Sequence, residues 1–286
     1  MQFKKYISKF NPEEIIKLNN NGKTIREIAN IVDIPEKRLA EMIKFFNLDI
    51  KKGLCNKVNE SFFDVIDSEE KAYLLGFFIA DGCIQKEAKK RNGEIYSHSY
   101  RFSINNSIDD EEIVSLFQQL ICPHKKLEYK NNQKGVKIKR KQQVCIRWTS
   151  KHMYETLLLY NIHERKTYDS EFEFPFDKIP EELVRHFIRG FFDGDGHKSK
   201  TEIEFILTSK KFGNQILKFF KDFNYRWYEI KGKTCIYYKL YITGGKKLMT
   251  WIYNQFYNNA NCFLNRKYIL FNTEVSSEIA QGSETP

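Results

Sequence analysis

The chain has 286 residues, 41% hydrophobic and 29% charged, with a formal net charge of +10. That length suits about two ordinary domains with a real hydrophobic core, and the basic balance points to an anionic partner, nucleic acid before a membrane surface. A membrane span needs ~20 consecutive apolar residues; the most apolar run, Tyr73 to Ala80, is far shorter, and the first residues lack the apolar stretch of a secretion signal, so an intracellular protein (cytoplasm, nucleoid or organelle matrix) is expected.

Cys55, Cys83, Cys122, Cys145, Cys235 and Cys262 are scattered, with no Cys-x-x-Cys pair. This argues against both a zinc site and a disulfide framework.

Residues 1–53 read as a small all-α module, with three short helices between 13 and 48. Thr24 and Glu27 make a capping box, whose hydroxyl and carboxylate satisfy exposed N–H groups at a helix start. Ile25, Ile28, Ala29 and Val32 give the second helix an apolar face. Pro35 disfavours helical geometry at Ile34 and separates the next helix. That third helix has Leu39, Met42, Ile43 and Phe46 on one face and Lys37, Arg38, Glu41 and Lys44 on the other. The pattern resembles a helix-turn-helix, with Asp33 where the turn often has glycine. Asp tolerates the left-handed conformation better than most residues. On this resemblance the third helix enters a DNA major groove through Lys37, Arg38 and Lys44; a three-helix bundle that binds no DNA is the alternative. The polar stretch Lys51 to Glu60 reads as a connection, and residues 54–66 are assigned as a linker.

Two segments then repeat a pattern. Leu74-Leu75-Gly76-Phe77-Phe78-Ile79-Ala80-Asp81-Gly82 and Ile188-Arg189-Gly190-Phe191-Phe192-Asp193-Gly194-Asp195-Gly196 share Gly-Phe-Phe-x-small-Asp-Gly. Each ends a predicted helix, Ser68 to Ala80 and Glu181 to Gly194. Gly76 and Ala80 fall on one helix face, as do Gly190 and Gly194. Glycine inside a helix costs about 1 kcal/mol relative to alanine, so these small residues imply close helix packing. Side-by-side packing brings Asp81 and Asp195 together at the helix C-termini. Two carboxylates there repel each other and oppose the helix dipole. A divalent ion, Mg²⁺ or Mn²⁺, resolves both problems, with Asp81, Asp195 and the carbonyls of Ala80 and Gly194 as candidate ligands. Metal ions beside paired acids suit phosphodiester cleavage. A single copy is better read as a core helix closed by an Asp-Gly turn; two copies in matching register reverse that preference and favour the shared site.

The paired segments resemble the motifs of LAGLIDADG homing endonucleases of the single-chain, two-motif type. The resemblance covers roughly Asp67 to Phe271. It implies an α+β fold of two pseudo-symmetric αββαββα repeats, 67–168 and 181–273, forming a DNA-binding saddle. An inter-repeat linker, 169–180, carries Pro175 and Pro180. It also implies that Asp81 and Asp195 bind catalytic metal and that a basic residue stands near the active centre. Arg165-Lys166 and Arg266-Lys267 each follow the last helix of a half, so Lys166 and Lys267 are the candidates. Plain phosphate binding is their alternative role.

Within the first half the predicted elements are a basic segment Gln85 to Arg91, a strand Tyr100 to Asn105, an amphipathic helix Asp109 to Leu120, strands Lys125 to Lys130 and Val144 to Thr149, and a helix Lys151 to Tyr160. The second half runs His197 to Lys200 (short strand or turn), Glu202 to Thr208 (strand), Lys210 to Phe223 (helix), Tyr225 to Lys231 and Ile236 to Thr243 (strands), and Lys246 to Tyr257 (helix). Candidate DNA contacts are Lys86, Lys89, Arg101, Lys137, Lys139, Arg140 and Arg147 in the first half and Lys198, Lys200, Lys231, Lys233 and Lys239 in the second. Some would touch phosphates and others read bases. Residues 274–286 read as a disordered tail.

The expected activity is metal-dependent hydrolysis of both strands of a long, asymmetric double-stranded DNA site by a monomer. By resemblance this is an intron-encoded enzyme of a mobile genetic element. An intron RNA maturase and a DNA-binding regulator that does not cut are alternatives on the same scaffold.

Overall fold

The structure is a computed structural model, which describes residues 3, 5–20, 23–50, 58–130, 141–232 and 234–282. The chain divides into two compact units, residues 1–59 with 118–126 and residues 60–117 with 127–286.

The first unit contains helices α1 (Pro12–Asn20), α2 (Ile25–Ile31) and α3 (Glu36–Phe45). Ile15, Ile28, Ala29, Ile34, Leu39 and Met42 pack into its core. The apolar spacing explains why: each helix presents one stripe, and none can bury that stripe alone. Thr24 and Glu27 form the capping box in full. Between α2 and α3, Asp33 takes a left-handed φ of 52°, and its carboxylate pairs with Lys9. An aspartate stands where the chain turn needs positive φ, as its short polar side chain permits.

The second unit is built from two copies of one plan. The first copy comprises α4 (Glu69–Asp81), β1 (Gly82–Arg91), β2 (Glu94–Ser107), α5 (Glu111–Ile121), β3 (Glu128–Lys130), β4 (Gln143–Thr149) and α6 (Lys151–Leu159). The last turn of α5 is grouped with the first unit. The second copy comprises α7 (Glu181–Asp195), β5 (Gly196–Lys198), β6 (Glu202–Leu207), α8 (Lys210–Phe219), β7 (Asn224–Lys231), β8 (Ile236–Thr243) and α9 (Gly245–Ile252), followed by α10 (Asn265–Gly282). Each copy has a four-stranded antiparallel sheet, in the orders β1-β2-β4-β3 and β5-β6-β8-β7. The two orders are the same topology twice, which makes the fold α+β with an internal repeat.

Alternation sets the faces of each sheet. Phe102, Ile104, Ile146 and Trp148 point to the helix side of the first sheet and are buried. Phe78 from α4 and Phe117 from α5 complete that core, with Phe102 stacked on Trp148 at 5.6 Å between centroids. In the second sheet Ile203, Phe205, Leu240 and Ile242 do the same. There Phe192, Phe220 and Phe256 supply the aromatic packing. The opposite face of each sheet carries charged side chains, among them Arg101, Arg147, Arg226 and Lys239.

Several elements differ from the sequence reading. Strand β1 and the first half of β2 form one long hairpin turned at Asn92-Gly93, with φ values of 53° and 86°. An Asn-Gly pair is the residue choice for a tight hairpin turn. The sequence concealed these strands because most of β1 beyond Ile84 is exposed on both sides, so no alternation shows. The predicted helix from Lys246 to Tyr257 is α9 followed by a π-helical turn at Tyr253–Tyr257. Backbone helix continues through 274–282, residues the sequence placed in a structureless tail. Phe62, Phe63 and Ile66, in the segment assigned as a linker, are buried, as are Phe172, Phe174 and Ile179 between the repeats. Among the described residues the cysteines are free, and no helix is long and apolar enough to cross a membrane. Cys55 and the remainder of the tail lie outside the described residues.

Candidate active site

Helix α4 begins at Ser68, whose hydroxyl accepts from the N–H of Lys71 at 3.4 Å, and Glu69 and Glu70 occupy its first turn. Helix α7 begins after Pro180 with Glu181 and Glu182. Acids at a helix N-terminus complement the dipole. The two helices then touch backbone to backbone. A Cβ built on Gly76 would lie 2.0 Å from the Phe187 carbonyl oxygen, and one on Gly190 would lie 2.0 Å from the Tyr73 carbonyl oxygen. Each glycine meets the carbonyl of the residue three before its counterpart, which is what a local two-fold axis requires. One turn further, a Cβ on Gly194 would be 2.4 Å from the Ala80 Cβ. Gly76, Ala80, Gly190 and Gly194 are thus brought together.

Both helices end at the same point of the repeat. Gly82 and Gly196 are extended (φ −74° and −83°) and lead directly into β1 and β5. A side chain at either glycine would collide with the ring of Phe78 or Phe192. The last helical residues are Asp81 and Asp195. Burial and then the charge of Asp81 push the Asp195 carboxyl up to about 7. Burial also raises Asp81, against the hydrogen bond that its Oδ2 accepts from Asn106 Nδ2 at 3.2 Å. The two acids therefore sit close enough to resist ionising together.

Two lysines complete the arrangement. Lys166 Nζ donates to the Gly82 carbonyl at 2.6 Å, and Lys267 Nζ donates to the Gly196 carbonyl. Each lysine thus caps the residue that follows the aspartate of its own repeat. Burial lowers both, Lys267 to about 8, and both feel the charge of Asp195. A cavity of about 220 Å³ opens beside Ala80, Lys166, Asp195 and Leu207. Another of about 550 Å³ lies between Gly82–Glu87 and residues 163–168.

The donor set fits a hard divalent ion. Two mutually repelling carboxylates gain most from a positive charge between them. Among the described residues no group of three or more His, Cys, Asp or Glu side chains could hold a metal. Mg²⁺ is the ion that suits so sparse a set, because it keeps several waters and takes one or two carboxylates. Asp81 and Asp195 would hold it, with the Ala80 and Gly194 carbonyls adjacent in the chain.

Four further residues organise this site and were not singled out in the sequence. Asn106 on β2 is buried and hydrogen-bonds Asp81. Asp193 is wholly buried and accepts from Tyr73 Oη (2.8 Å), Tyr257 Oη (2.7 Å) and the Leu264 N–H (2.8 Å). It thereby anchors the segment that leads to Lys267. Arg189, also wholly buried, donates to Glu69 at 2.7 Å and to the Phe256 carbonyl at 2.6 Å. Arg266 pairs with Asp110 at 2.8 Å. The available signal was the departure from the first motif: Arg189 and Asp193 replace Leu75 and Ile79.

The basic residues separate by face. Lys89, Arg101, Arg147 and Lys239 lie on the open faces of the sheets by register. Lys86 lies on the helix side, its ammonium 5.9 Å from the rings of Tyr100 and Tyr154. Lys198 is paired with buried Ile203 and sits 5.4 Å over Phe271. Lys231 shares the helix side with Tyr238. Period-two alternation makes these three point away from the open face. Lys200 is exposed in the β5–β6 turn. In the first unit Lys37 and Lys44 are exposed on α3, and Arg38 pairs with Glu41 at 2.7 Å. Lys137, Lys139, Arg140 and Lys233 lie outside the described residues.

The solved structures similar to this chain include the homing endonuclease I-DmoI, in mesophilic variants, at 16% identity over 67% of this chain and 96% of that one, with a TM-score of 0.46. I-SmaMI, bound to its uncleaved DNA target in the presence of calcium ions, matches at 12% identity over 75% and 93% of the two chains, with a TM-score of 0.45. The LAGLIDADG meganuclease I-AabMI, bound to uncleaved DNA, matches at 12% identity over 74% and 91%, with a TM-score of 0.44. No curated protein matches in sequence. The LAGLIDADG-like domain family matches residues 68–120 and 182–250. Each matched segment opens on one of the two motif helices, α4 and α7, so the likeness to that family covers both halves of the repeat.

Proposed function

We propose that the protein is a site-specific, divalent-metal-dependent homing endonuclease that cuts both strands of a long, asymmetric duplex as a monomer. The observation that carries this reading is the reciprocal glycine contact of α4 and α7, which sets Asp81 and Asp195 side by side with Lys166 and Lys267 flanking them. When bound, Mg²⁺ or Mn²⁺ supplies Lewis-acid polarisation of the phosphodiester. Asp81 and Asp195 would hold the ion. Asn106 orients Asp81. The ammonium groups of Lys166 and Lys267 offset charge developing on the phosphorus oxygens. In the low-dielectric setting that depresses both lysines, such an offset is stronger than in water.

The two repeats differ in strand length and in surface charge, which suits an asymmetric site. The N-terminal unit extends the contact as a helix-turn-helix. Its support is the left-handed turn at Asp33 between α2 and α3, with Lys37 and Lys44 exposed on α3. An intron or other mobile genetic element is the natural source of such an enzyme. The test is cleavage selection on a randomised duplex library, once with Mg²⁺ and once with Ca²⁺. A defined cleaved population with Mg²⁺ is expected. Binding without any cut population, or tighter binding to structured intron RNA than to every duplex, contradicts the proposal.

A further inference from the structure

The open faces of the two sheets carry their cations in a particular state. Arg101 on β2 meets Glu87 on β1 through both arms of the guanidinium, Nη1–Oε1 at 3.0 Å and Nη2–Oε2 at 3.1 Å. Arg147 on β4 pairs with Glu128 on β3. The second sheet repeats the device. Arg226 on β7 contacts both carboxylate oxygens of Glu202 on β6, at 2.7 and 2.9 Å, and lies 4.5 Å over the Tyr241 ring. Lys239 on β8 pairs with Glu204 on β6 at 2.8 Å, and Glu204 is buried.

The register puts all four pairs on the open faces, opposite the aromatic cores. The tip of the β1–β2 hairpin is different. There Lys89, Lys90 and Arg91 are exposed and, among the described residues, form no ion pair.

The Arg101–Glu87 and Arg147–Glu128 pairs are exposed on both sides and contribute little to stability, so the recurrence of the device on both sheets calls for another role. The fork of a guanidinium that already grips a carboxylate is not free to grip a phosphate in the same bidentate way. A carboxylate on the surface also repels any phosphate that approaches it. Both effects leave base edges as the better partners: the remaining donors of the cation suit the acceptors of guanine, and the carboxylate suits the amino group of cytosine.

Resting on the proposed duplex-cutting function, we propose that Glu87, Glu128, Glu202 and Glu204 are specificity residues. They hold the cations of the sheet faces off the phosphates and turned toward bases, while the unpaired hairpin-tip cations supply phosphate affinity.

The experiment measures binding of the full chain to a long mixed-sequence duplex across a salt series with Ca²⁺, and sequences the pool retained from a randomised duplex library. Wild type is compared with Glu87→Gln/Glu128→Gln, both exposed and safe for folding, and with the variant carrying all four Gln substitutions. Freed cations add counter-ion release. The fourfold variant is expected to bind the mixed duplex about tenfold more tightly, with a steeper salt dependence, and to retain a less defined pool. The double variant moves the same way by less. A wild type that retains a defined pool, with both variants unchanged in affinity, salt slope and pool, overturns this inference alone. A wild type that binds no duplex overturns the proposed function and this inference with it.

Discussion

The surroundings of Asp81 and Asp195 share a backbone and differ in chemistry. Helix crossing, glycine contacts, terminal aspartate, extended glycine and capping lysine recur in both halves. Around that frame the halves diverge. In the first sheet Gly82 pairs with Ile104, and Asn106, two residues on, hydrogen-bonds Asp81. In the second, Gly196 pairs with Phe205, and the residue two on is Leu207, which lines the cavity beside Asp195. The motif helix of the first half is apolar at Leu75 and Ile79, whereas that of the second buries Arg189 and Asp193. Backbone approach is what the two-fold arrangement fixes. The side chains around it are free to make two unequal carboxylates, and Asp195 at about 7 is the result.

The largest test breaks what the halves share. Gly76→Val or Gly190→Val places a side chain against a carbonyl oxygen that a Cβ alone would approach to 2.0 Å. With helix backbone on both sides nothing yields, and each substitution is expected to cost more than about 3 kcal/mol, the upper end for overpacking. Thermal unfolding reads this; an unchanged Tm removes the close crossing. A second test exploits equivalent positions with different neighbours. Arg189→Met breaks a buried pair with Glu69 and is expected to cost about 3–5 kcal/mol. Leu75→Met, the same position in the first motif, conserves volume and should cost less than about 1.5 kcal/mol. Urea midpoints compare the two directly, and equal losses would show that the halves do not differ here.

The third effect is smaller and depends on pH. A carboxyl whose folded pKa is raised binds its proton more tightly folded than unfolded, so stability falls as pH rises through the interval between the two values. For Asp195 that interval runs from the ordinary 3.8 to about 7. Leu207→Asn gives Asp195 the amide that Asp81 already has. It is expected to lower the Asp195 pKa and flatten the fall of metal-free Tm between those values, whatever it does to stability as a whole. An unchanged slope would mean that Asn106 does not account for the contrast.

The shared features were legible in the sequence and the divergent ones were not. Gly76, Ala80, Gly190 and Gly194 carry their message locally, since small residues one turn apart on a helix have few other uses. Lys166 and Lys267 were readable because both follow the same kind of helix in each half. Asn106 lies on a strand and gains its role only when register sets it against Asp81. Asp193 fills the variable position of the motif and carries no local signal, yet it is satisfied by Tyr257 and Leu264, far along the chain. The sequence names Lys86, Lys198 and Lys231 as candidate DNA contacts without fixing their face, for a related reason. Which face a strand residue occupies depends on register, and β1 and β5 offered too little apolar alternation to fix it.

The central claim is that one carboxylate from each half acts in a single shared site. Asp81→Asn and Asp195→Asn, made separately and assayed on linear duplex carrying the selected site with Mg²⁺, test it most directly. Each variant is expected to lose double-strand cutting while binding the duplex as tightly as wild type. Full double-strand cutting by either one would contradict the account.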